Sequence, residues 1–475
     1  MPDKKSFYIT TTLPYVNADP HIGFAFEIVM ADAIARYRRD ELKEEVFFST
    51  GTDEHGLKIY QKALAQGKDP QLYVDEYVEK FLALKIKLGI HEDLNFIRTT
   101  NPLHIKAAME LWNRCFANKY IYPKKYKGLY CIGDEAFIKE TELVNGRCPN
   151  HPNVELQEIE EENYFFKLTA LKQDLERLIN KGHEIKPEWA KGQASNFLEN
   201  LEDISISRDK SKMPWGIPVP NDDTQVMYVW FDALTSYLST LGWPDTEELF
   251  DKFWVNGETL QLAGKDQVRF QSIIWQAMLF AANLEPTKKV FYHGFVTSGG
   301  HKMSKSLGNV INPDELLERY KTEATRYLLL RHIHPIEDTD VTWKRLDEWY
   351  ESHLVNGLGN LVSRIMKLAE DNLVEERDWD TSGYLFKDYP AEKMEEYRVD
   401  LVMEYIWAKI GLLDKDIQEK KPWESKDKEL IEDLVLNLYR IGRMIRPFMP
   451  ETSKIIIEAT KSNKKPENLF PRINA

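Results

Sequence analysis

The sequence predicts an α/β protein in which a doubly wound parallel sheet is interrupted by an inserted α+β segment and followed by a helical bundle. Three observations support this fold class: a strand–turn–helix–strand order at the N-terminus, a change in composition across residues 118–225, and leucine-rich helical spacing beyond residue 345. Strands that alternate with helices pair in parallel, whereas successive amphipathic helices pack as a bundle.

The N-terminal segment predicts the first β–α–β unit of the sheet. Each of residues 7–12 is aromatic or β-branched, as expected of a buried strand. The turn 14–20 leads into a helix that extends to Arg39. A second strand, 46–50, ends at 51–56 (Gly-Thr-Asp-Glu-His-Gly). Ligands of such sheets bind at the carboxyl ends of the strands, so this edge is the expected site. The apolar residues at helical spacing are Phe26, Val29, Met30, Ala33, Ile34 and Tyr37.

Residues 118–225 have the composition of an insertion within the sheet domain. They include a Lys-rich patch, two cysteines and the acidic run 158–162. The strand-like segments 225–230 and 291–296 then resume the sheet pattern. We therefore predict these domains: a sheet domain in two halves (1–117 and 226–295), a connective insertion with a knuckle (118–225), a linking region with a lysine loop (296–345) and a helical bundle (346–475).

The region beyond residue 345 predicts the helical bundle. Apolar residues follow a spacing of three and four in successive segments, which gives each helix one apolar face. Pro447 and Pro450 end the last segment. The predicted core positions are Leu354, Leu358, Leu361, Ile365 and Leu368; Leu401, Tyr405, Ala408 and Leu412; and Leu434, Leu438, Ile441 and Ile445.

Composition narrows the class of protein. The chain has 475 residues and a net charge of −14, from 77 acidic and 63 basic side chains. It contains no apolar run of about 18 residues and no secretory signal. Its cysteines, Cys115, Cys131 and Cys148, are too few for a disulfide framework. We therefore expect a cytoplasmic protein. The acidic balance argues against a nucleic-acid partner, although an acidic protein can carry a local basic surface.

Two motifs point to phosphate chemistry. Residues 21–24 (His-Ile-Gly-Phe) begin the first helix, where free N–H groups and the helix dipole favour an anion. There His21 can donate to a phosphate oxygen and Gly23 permits close approach, although a simple capping turn has the same pattern. Residues 301–309 place Lys302 and Lys305 in a glycine-flanked loop. Such a loop can close over a polyphosphate and stabilise charge as pyrophosphate leaves.

These two motifs, separated by a long insertion, resemble those of the class I aminoacyl-tRNA synthetases. The segments 12–15, 51–56, 228–234 and 264–266 narrow the resemblance to the methionyl-tRNA synthetase family, over essentially the whole chain. The resemblance implies a Rossmann-type catalytic domain and a methionine–tRNA ligase. Such an enzyme uses ATP and Mg²⁺ to form methionyl-adenylate, and then transfers the methionyl group to the 3′-terminal adenosine of tRNA(Met).

The resemblance also implies roles for single residues. The carboxylate of Asp53, at a strand end, would pair with the ammonium of methionine in a low-dielectric cleft, and aromatic side chains would contact the methionine sulfur. A turn aspartate and ordinary core aromatics are the alternatives. The implied catalytic residues are His21, Lys302 and Lys305; the ATP-binding residues are His21, Gly23, Gly264, Asp266, Lys302 and Lys305; and the methionine-binding residues are Leu13, Tyr15, Asp53, Trp230, Ala233, Tyr237 and Gln271.

In the predicted catalytic domain the chain departs from the family pattern at four places. Phe24 stands where the first motif ends in histidine. Gln261 and Gln271 stand where histidines are usual, and Gln267 replaces an apolar residue, whereas Trp275 is at its expected place. Glutamine forms hydrogen bonds but cannot titrate. We therefore expect intact activation chemistry with an altered amino-acid pocket.

A zinc knuckle is another implied feature. Cys131 and Asp134, followed by Cys148 and His151, have its spacing, with Asp134 where a cysteine is usual. Structural zinc sites are normally built from Cys and His. A bound zinc ion and a metal-free knuckle therefore both stay open.

In the helical region the resemblance implies anticodon contacts. Asn360 and Arg364 lie four apart on one helix face, and Pro422-Trp423 lies between two helices. Single-stranded bases are recognised by stacking on aromatic rings and by hydrogen bonds from Asn and Arg. For Trp423, packing between helices is the alternative.

Two other functions are considered: a related synthetase with altered amino-acid specificity, and a noncatalytic tRNA-binding paralogue. The insertion of about a hundred residues is small for an editing domain, which disfavours leucine, isoleucine and valine. A protein that only binds tRNA needs no pyrophosphate loop, so Lys302 and Lys305 disfavour the noncatalytic paralogue. From the length of the chain we expect a monomer.

Overall fold

The computed structural model describes residues 5–133, 136–138, 142–302, 310–374 and 389–473. The strands are β1 (Ser6–Thr10), β2 (Glu45–Thr52), β3 (Asn95–Arg98), β4 (Ile121–Cys131), β5 (Ala136–Ile138), β6 (Gln157–Phe166), β7 (Glu184–Lys186), β8 (Ile204–Ser205), β9 (Ser207–Asp209), β10 (Pro218–Val219), β11 (Asp222–Met227), β12 (Glu258–Gly264), β13 (Lys289–His293), β14 (Val296–Ser298), β15 (His301–Lys302) and β16 (Thr339–Asp340).

The α-helices are α1 (Ile22–Arg36), α2 (Leu57–Ala65), α3 (Pro70–Lys87), α4 (Pro102–Ala117), α5 (Lys172–Lys181), α6 (Glu188–Glu199), α7 (Val229–Leu234), α8 (Ser236–Ser239), α9 (Trp275–Ala281), α10 (Pro313–His332), α11 (Trp343–Trp349), α12 (Asn360–Asn372), α13 (Ala391–Glu395), α14 (Val399–Lys420), α15 (Pro422–Ser425), α16 (Lys428–Met444) and α17 (Pro450–Ser462). Wider π-helical turns occupy Tyr37–Glu41, Phe250–Val255, Phe270–Ile274 and Tyr350–Gly359. No helix in the described ranges combines the length and the apolar character that crossing a bilayer requires.

The chain forms two compact units. The first, called the sheet unit, contains Met1–Asp19, Val46–Leu82 and Asp93–Tyr292. The second, called the helical unit, contains Pro20–Glu45, Ala83–Glu92 and His293–Ala475.

A six-stranded sheet forms the centre of the sheet unit, in the order β3-β2-β1-β12-β13-β7. The pairings β1–β12, β2–β3 and β13–β7 are parallel. Four of the five residues of β1 are buried, because helices cover both faces of such a sheet. The predicted doubly wound parallel sheet is therefore confirmed.

Two details of the sheet differ from the prediction. The segment predicted as a strand at 225–230 divides: β11 pairs antiparallel with β9 and β10, outside the six-stranded sheet, and Val229 begins α7. A continuous apolar run has the same appearance in a buried strand and a buried helix, which explains the error. The sixth strand of the main sheet, β7, comes from within 118–225 and pairs with β13.

The helical unit contains the predicted succession of amphipathic helices. Leu354, Leu358 and Leu361 are fully buried, and α16 ends at Met444 before the predicted prolines. The apolar face of α14 is wrong in the prediction, because Leu412 is 66% exposed. The buried face of α14 instead includes Val402, Ile406, Ile410, Leu413 and Ile417.

One buried histidine makes the stability of the sheet unit depend on pH. His183 precedes β7, is 6% exposed, and donates from Nδ1 to the carbonyl oxygen of Thr287 at 2.7 Å. Burial lowers the pKa of His183 from 6.5 to about 4, although the bond to Thr287 opposes the shift. The neutral form is favoured in the folded state, so this contribution is complete above about pH 6.5 and is lost as the pH falls towards 4.

We expect His183→Asn to flatten this acid dependence, because the Asn amide still donates to Thr287 but does not titrate. Between about pH 7 and pH 4, the wild-type protein should lose about 3 kcal/mol more free energy of unfolding than the variant. Urea unfolding at several pH values measures the difference. Parallel curves for the two proteins would contradict the assignment.

Candidate active site

The loop after β2 places Asp53 beside the segment 13–15, which contains two of the predicted methionine-binding residues. Asp53 is 6% exposed; its N–H donates to the carbonyl oxygen of Pro14 at 3.0 Å, and its carbonyl oxygen accepts from the N–H of Val16 at 3.1 Å. These two bonds form an isolated parallel bridge between Tyr15 and Asp53. The structure therefore brings Leu13, Tyr15 and Asp53 into one backbone-held cluster at the carboxyl ends of β1 and β2.

The next residue, Glu54, holds the loop in place. Its buried carboxylate accepts two hydrogen bonds of 2.8 Å from the guanidinium of Arg98, and others from Thr52 and Thr100. Hydrogen bonding to Glu54 raises the pKa of Arg98 above its usual range, which keeps that side chain charged. A charge-assisted bidentate pair of this kind fixes backbone geometry.

His55 connects the same loop to α7. Its Nδ1 lies 2.6 Å from Asp232 Oδ2, while Nε2 of His104 lies 2.7 Å from Asp232 Oδ1. The other ring nitrogen of His104 contacts Ser239 Oγ at 2.9 Å, and all four residues are buried. Burial would raise the pKa of Asp232, but His55 and His104 outweigh it and hold the pKa below its usual range. An ionised carboxylate therefore ties the Asp53 loop to the helix that carries Trp230 and Ala233.

The predicted aromatic wall lies in this unit. The rings of Trp230 and Phe270 stack with their centroids 3.9 Å apart. Gln271 Nε2 donates to Tyr237 Oη at 2.5 Å, and Tyr237 meets Trp275 edge to face at 5.6 Å. Ala233 is buried on α7. An apolar, aromatic surface of this kind suits a thioether.

The structure buries an arginine, Arg208, that no sequence motif contains. This side chain is 4% exposed, and its guanidinium carbon lies 4.2 Å from the ring centroid of Tyr228. Together with Tyr228, Arg269 and Phe270 it lines a cavity of about 520 Å³. A single arginine in a short strand has no motif spacing, so nothing in the sequence distinguishes it.

The predicted nucleotide contacts lie in both units. In the sheet unit, Gly264 ends β12 and is buried, whereas Asp266 is exposed in the turn Lys265–Gln267 and accepts from Gln267 Nε2 at 3.0 Å. In the helical unit, His21 is exposed and caps α1, with Nδ1 accepting from the N–H of Phe24 at 3.3 Å.

The helical unit also contains Gly23 and the lysine loop, which belong to the predicted nucleotide contacts. A Cβ on Gly23 would lie 3.0 Å from the ring of His21, so a larger residue would crowd the cap. The backbone of Lys302 pairs with Thr297 in a hairpin of β14 and β15, whereas Lys305 lies outside the described residues.

The candidate metal site contains Cys131, Cys148 and His151, whose ligand atoms lie within 4.8 Å of one another. Both cysteines are fully buried, and the N–H of His151 donates to Cys148 Sγ at 3.3 Å. A Cβ on Gly133 would lie 2.4 Å from the ring of His151, so only glycine fits there. Two thiols and an imidazole are the donors that zinc prefers, so this set fits zinc. Asp134 lies outside the described residues.

The predicted anticodon residues meet on the helical unit. The guanidinium carbon of Arg364 lies 5.8 Å from the ring centroid of Trp423, and Arg364 donates to Asp414 Oδ1 at 2.7 Å. Trp423 is 45% exposed, beside the buried Pro422 that begins α15. Asn360 is exposed one turn before Arg364. An accessible indole with a positioned cation beside it can stack a nucleobase.

Comparison with known proteins gives a consistent result. The family described as tRNA synthetases class I (M) matches residues 7–158 and 153–366. The methionine–tRNA ligase of Thermotoga maritima is 37% identical over 97% of this chain and 76% of its own length. That of Caldanaerobacter subterraneus subsp. tengcongensis is 39% identical over 96% and 74%. That of Rickettsia typhi is 34% identical over 99% and 96%.

Solved structures agree in fold. Mycobacterium tuberculosis methionyl-tRNA synthetase in complex with methionyl-adenylate superposes with a TM-score of 0.89 and is 32% identical, covering 98% of this chain and all of that one. Its apo form superposes with a TM-score of 0.81. Sequence and fold thus agree with the arrangement of the site: the chain belongs to the methionyl-tRNA synthetase family of class I aminoacyl-tRNA synthetases.

Proposed function

We propose that the chain is a methionine–tRNA ligase, which activates methionine with ATP and transfers the methionyl group to tRNA(Met). The observation that carries the proposal is the buried carboxylate of Asp53, held by backbone bonds beside Leu13 and Tyr15, in the same unit as the aromatic residues around Tyr237. Membership of the family, with relatives named methionine–tRNA ligase, supports the same activity.

In this proposal Asp53 binds the substrate ammonium, since a carboxylate in a buried cleft pairs strongly with an amine. Leu13, Tyr15, Trp230 and Ala233 contact the side chain of methionine. Tyr237, held by Gln271 at 2.5 Å, presents its hydroxyl to the sulfur.

The ATP-binding residues are proposed on the basis of the two phosphate motifs and the end of β12. His21 at the start of α1 and the lysines at 302 and 305 stabilise the charge that develops as the methionine carboxylate attacks the α-phosphate and pyrophosphate leaves. Gly264 and Asp266 face the adenosine, and Gly23 keeps the cap open. Mg²⁺ bound to ATP would neutralise part of the charge on its phosphates.

The activity is tested by amino-acid-dependent ATP–pyrophosphate exchange across a panel of amino acids. We expect exchange with methionine. Exchange with a different amino acid would instead identify a synthetase of altered specificity, and no exchange at all would favour a noncatalytic paralogue.

We also propose that Cys131, Cys148 and His151 hold a structural zinc ion, with Asp134 as the fourth ligand. Protein purified without added zinc should contain stoichiometric metal, and both Cys148→Ser and Asp134→Ala should lower the metal content measured by mass spectrometry. Cys115→Ala is the matched control, because Cys115 is a buried thiol bonded to the carbonyl oxygen of Met278, away from these ligands. Substoichiometric zinc that Asp134→Ala leaves unchanged would contradict the site.

For tRNA recognition we propose that Trp423 stacks an anticodon base while Arg364 and Asn360 contact base edges. A stacked base contributes about 1–3 kcal/mol, so Trp423→Ala should lower kcat/KM for tRNA by about 5- to 150-fold. Methionine-dependent exchange should be unchanged. Trp189→Ala is the control, since Trp189 is 38% exposed in the other unit. Equal losses in both assays would show that Trp423 supports the fold.

The three cysteines, all in described parts of the chain, are buried and form no disulfide bond, which supports the proposed cytoplasmic, reducing location. The monomeric state and the domain bounds given above stay predictions.

A further inference from the structure

The core of the sheet unit contains a group of polar atoms that lack hydrogen-bond partners. Nε2 and Oε1 of Gln261, Oγ1 of Thr10 and Oε1 of Gln271 are buried and have no partner among the residues that the structure describes. The three side chains are at most 2% exposed. Buried polar groups are almost always paired, so four such atoms in one region need an explanation.

These atoms lie towards Tyr237. Thr10 and Gln261 are register partners on β1 and β12. Side chains two residues apart in a strand share a face, so Thr10 lies on the same face as Tyr8, whose hydroxyl donates to the carbonyl oxygen of Tyr237 at 2.8 Å. Gln271 lies in the π-helical turn that precedes α9, and its Nε2 donates to the Tyr237 hydroxyl. Gln271 therefore contacts directly the residue proposed to meet the substrate's sulfur, while Thr10 and its register partner Gln261 lie on the sheet face that Tyr8 presents to that residue.

The chemistry of these atoms does not suit a thioether. A methyl thioether offers no donor and only a weak acceptor, so methionine leaves most of this polarity unsatisfied. Each unpaired buried group carries a desolvation penalty that a ligand atom with a matching hydrogen bond removes. The free donors are the amide of Gln261 and the hydroxyl of Thr10, and both can point to one acceptor oxygen.

We propose that the amino-acid pocket accepts methionine-like side chains with an oxygen on sulfur, of which methionine sulfoxide is the simplest. Gln261 and Thr10 donate to the sulfoxide oxygen, and Gln261 is the specificity-determining residue. This inference rests on the proposed activation of methionine. The reacting groups are unchanged: the amino-acid carboxylate attacks the α-phosphate of ATP, pyrophosphate leaves, and the sulfoxide stays intact.

The experiment compares methionine, methionine sulfoxide and norleucine in ATP–pyrophosphate exchange by the full chain. Norleucine is the size control, because a methylene replaces its sulfur and it accepts no hydrogen bond. The adenylate is trapped and weighed, so that a product one oxygen heavier distinguishes sulfoxide activation from contaminating methionine. We expect the wild-type protein to activate the sulfoxide.

Gln261→Leu should lower kcat/KM for the sulfoxide by about tenfold and leave methionine and norleucine within about threefold, because one neutral hydrogen bond contributes an effect of this size. Thr10→Val should act in the same direction. The free Gln261→Leu protein should melt no lower than the wild type, since leucine removes unpaired polar atoms at similar volume.

Three results would overturn the inference: no sulfoxide adenylate from a protein that activates methionine, a sulfoxide loss in Gln261→Leu that methionine and norleucine share, or no loss at all. A protein without methionine-dependent exchange would overturn the proposed function as well. The two failures are thus distinguishable.

Discussion

Asp53→Asn is expected to lower kcat/KM for methionine in ATP–pyrophosphate exchange by about thirtyfold to about five-thousandfold. Removing one partner of a buried, hydrogen-bonded charge pair costs about 2–5 kcal/mol, much of it from the charge left unpaired. Asn has the same shape, and the backbone bonds of Asp53 to Pro14 and Val16 do not involve its carboxylate. The variant therefore keeps these backbone bonds and loses the charge that would pair with the substrate ammonium.

The matched control is Asp223→Asn, an exposed aspartate on β11 of the same unit, which should leave exchange unchanged. The KM for ATP should also stay near its wild-type value in Asp53→Asn. If both aspartate variants retain full methionine-dependent exchange, the ammonium is bound elsewhere. A lowered melting temperature of Asp53→Asn would indicate a structural role.

The main sheet was largely predictable because its strands are short, β-branched and followed by turn residues. The predicted strand 46–50 lies within β2, and the predicted strand 291–296 overlaps β13. The predicted helix to Arg39 ends as an α-helix at Arg36, and a π-helical turn continues to Glu41. Local periodicity thus locates elements, but it does not resolve how a helix ends.

Long-range pairing was not predictable. No local signal indicates that β7, within the insertion, adds to the main sheet beside β13. The predicted face of α14 was wrong because the helix has two apolar stripes, one residue apart, that fit the helical period equally well. One stripe runs from Leu401 to Leu412 and the other from Val402 to Leu413. Only the neighbouring helices decide which of the two stripes is buried.

The candidate site also has one part that the sequence predicts and another that it does not. Motif positions such as Asp53 and Trp230 are predicted from the sequence, because each belongs to a contiguous run of residues. The groups that hold them are not: Arg98 on Glu54, and His104 on Asp232, are separated by 44 and 128 residues. Side-chain pairs across such separations have no sequence spacing. They depend on the topology that brings α4 and α7 together.

A buried ion pair in the helical unit is the strongest case of such a pair. Arg326 on α10 and Asp32 on α1 are both fully buried, and they meet at 2.7 Å. Arg326 also donates to the carbonyl oxygens of Leu88 and Phe448, at 3.2 and 2.8 Å. Asp32 accepts from Arg36 at 2.8 Å. One guanidinium therefore joins four separate segments of the chain.

Arg326→Met is expected to destabilise the helical unit by about 3–5 kcal/mol, because it leaves the charge of Asp32 short of a partner and removes the donors of buried carbonyl groups. The control is Arg319→Met on the same helix. Arg319 donates two hydrogen bonds to Asp347, and both side chains are more than a third exposed. Loss of this ion pair should therefore cost at most about 1 kcal/mol. Urea unfolding of the full chain, followed through its first transition, measures both.

The pH dependence separates a lost charge pair from lost packing. Burial raises the pKa of Asp32, but Arg326 and Arg36 outweigh it and hold the pKa below its usual range. Wild-type stability from this group is therefore present above the usual aspartate pKa and is lost as the pH falls through the lowered one. Without Arg326 the pKa of Asp32 rises, and protonation relieves the unpaired charge. The gap between wild type and Arg326→Met should then narrow in acid. A gap that stays constant with pH would mean that Arg326 stabilises the unit through its packing and its bonds to carbonyl groups alone.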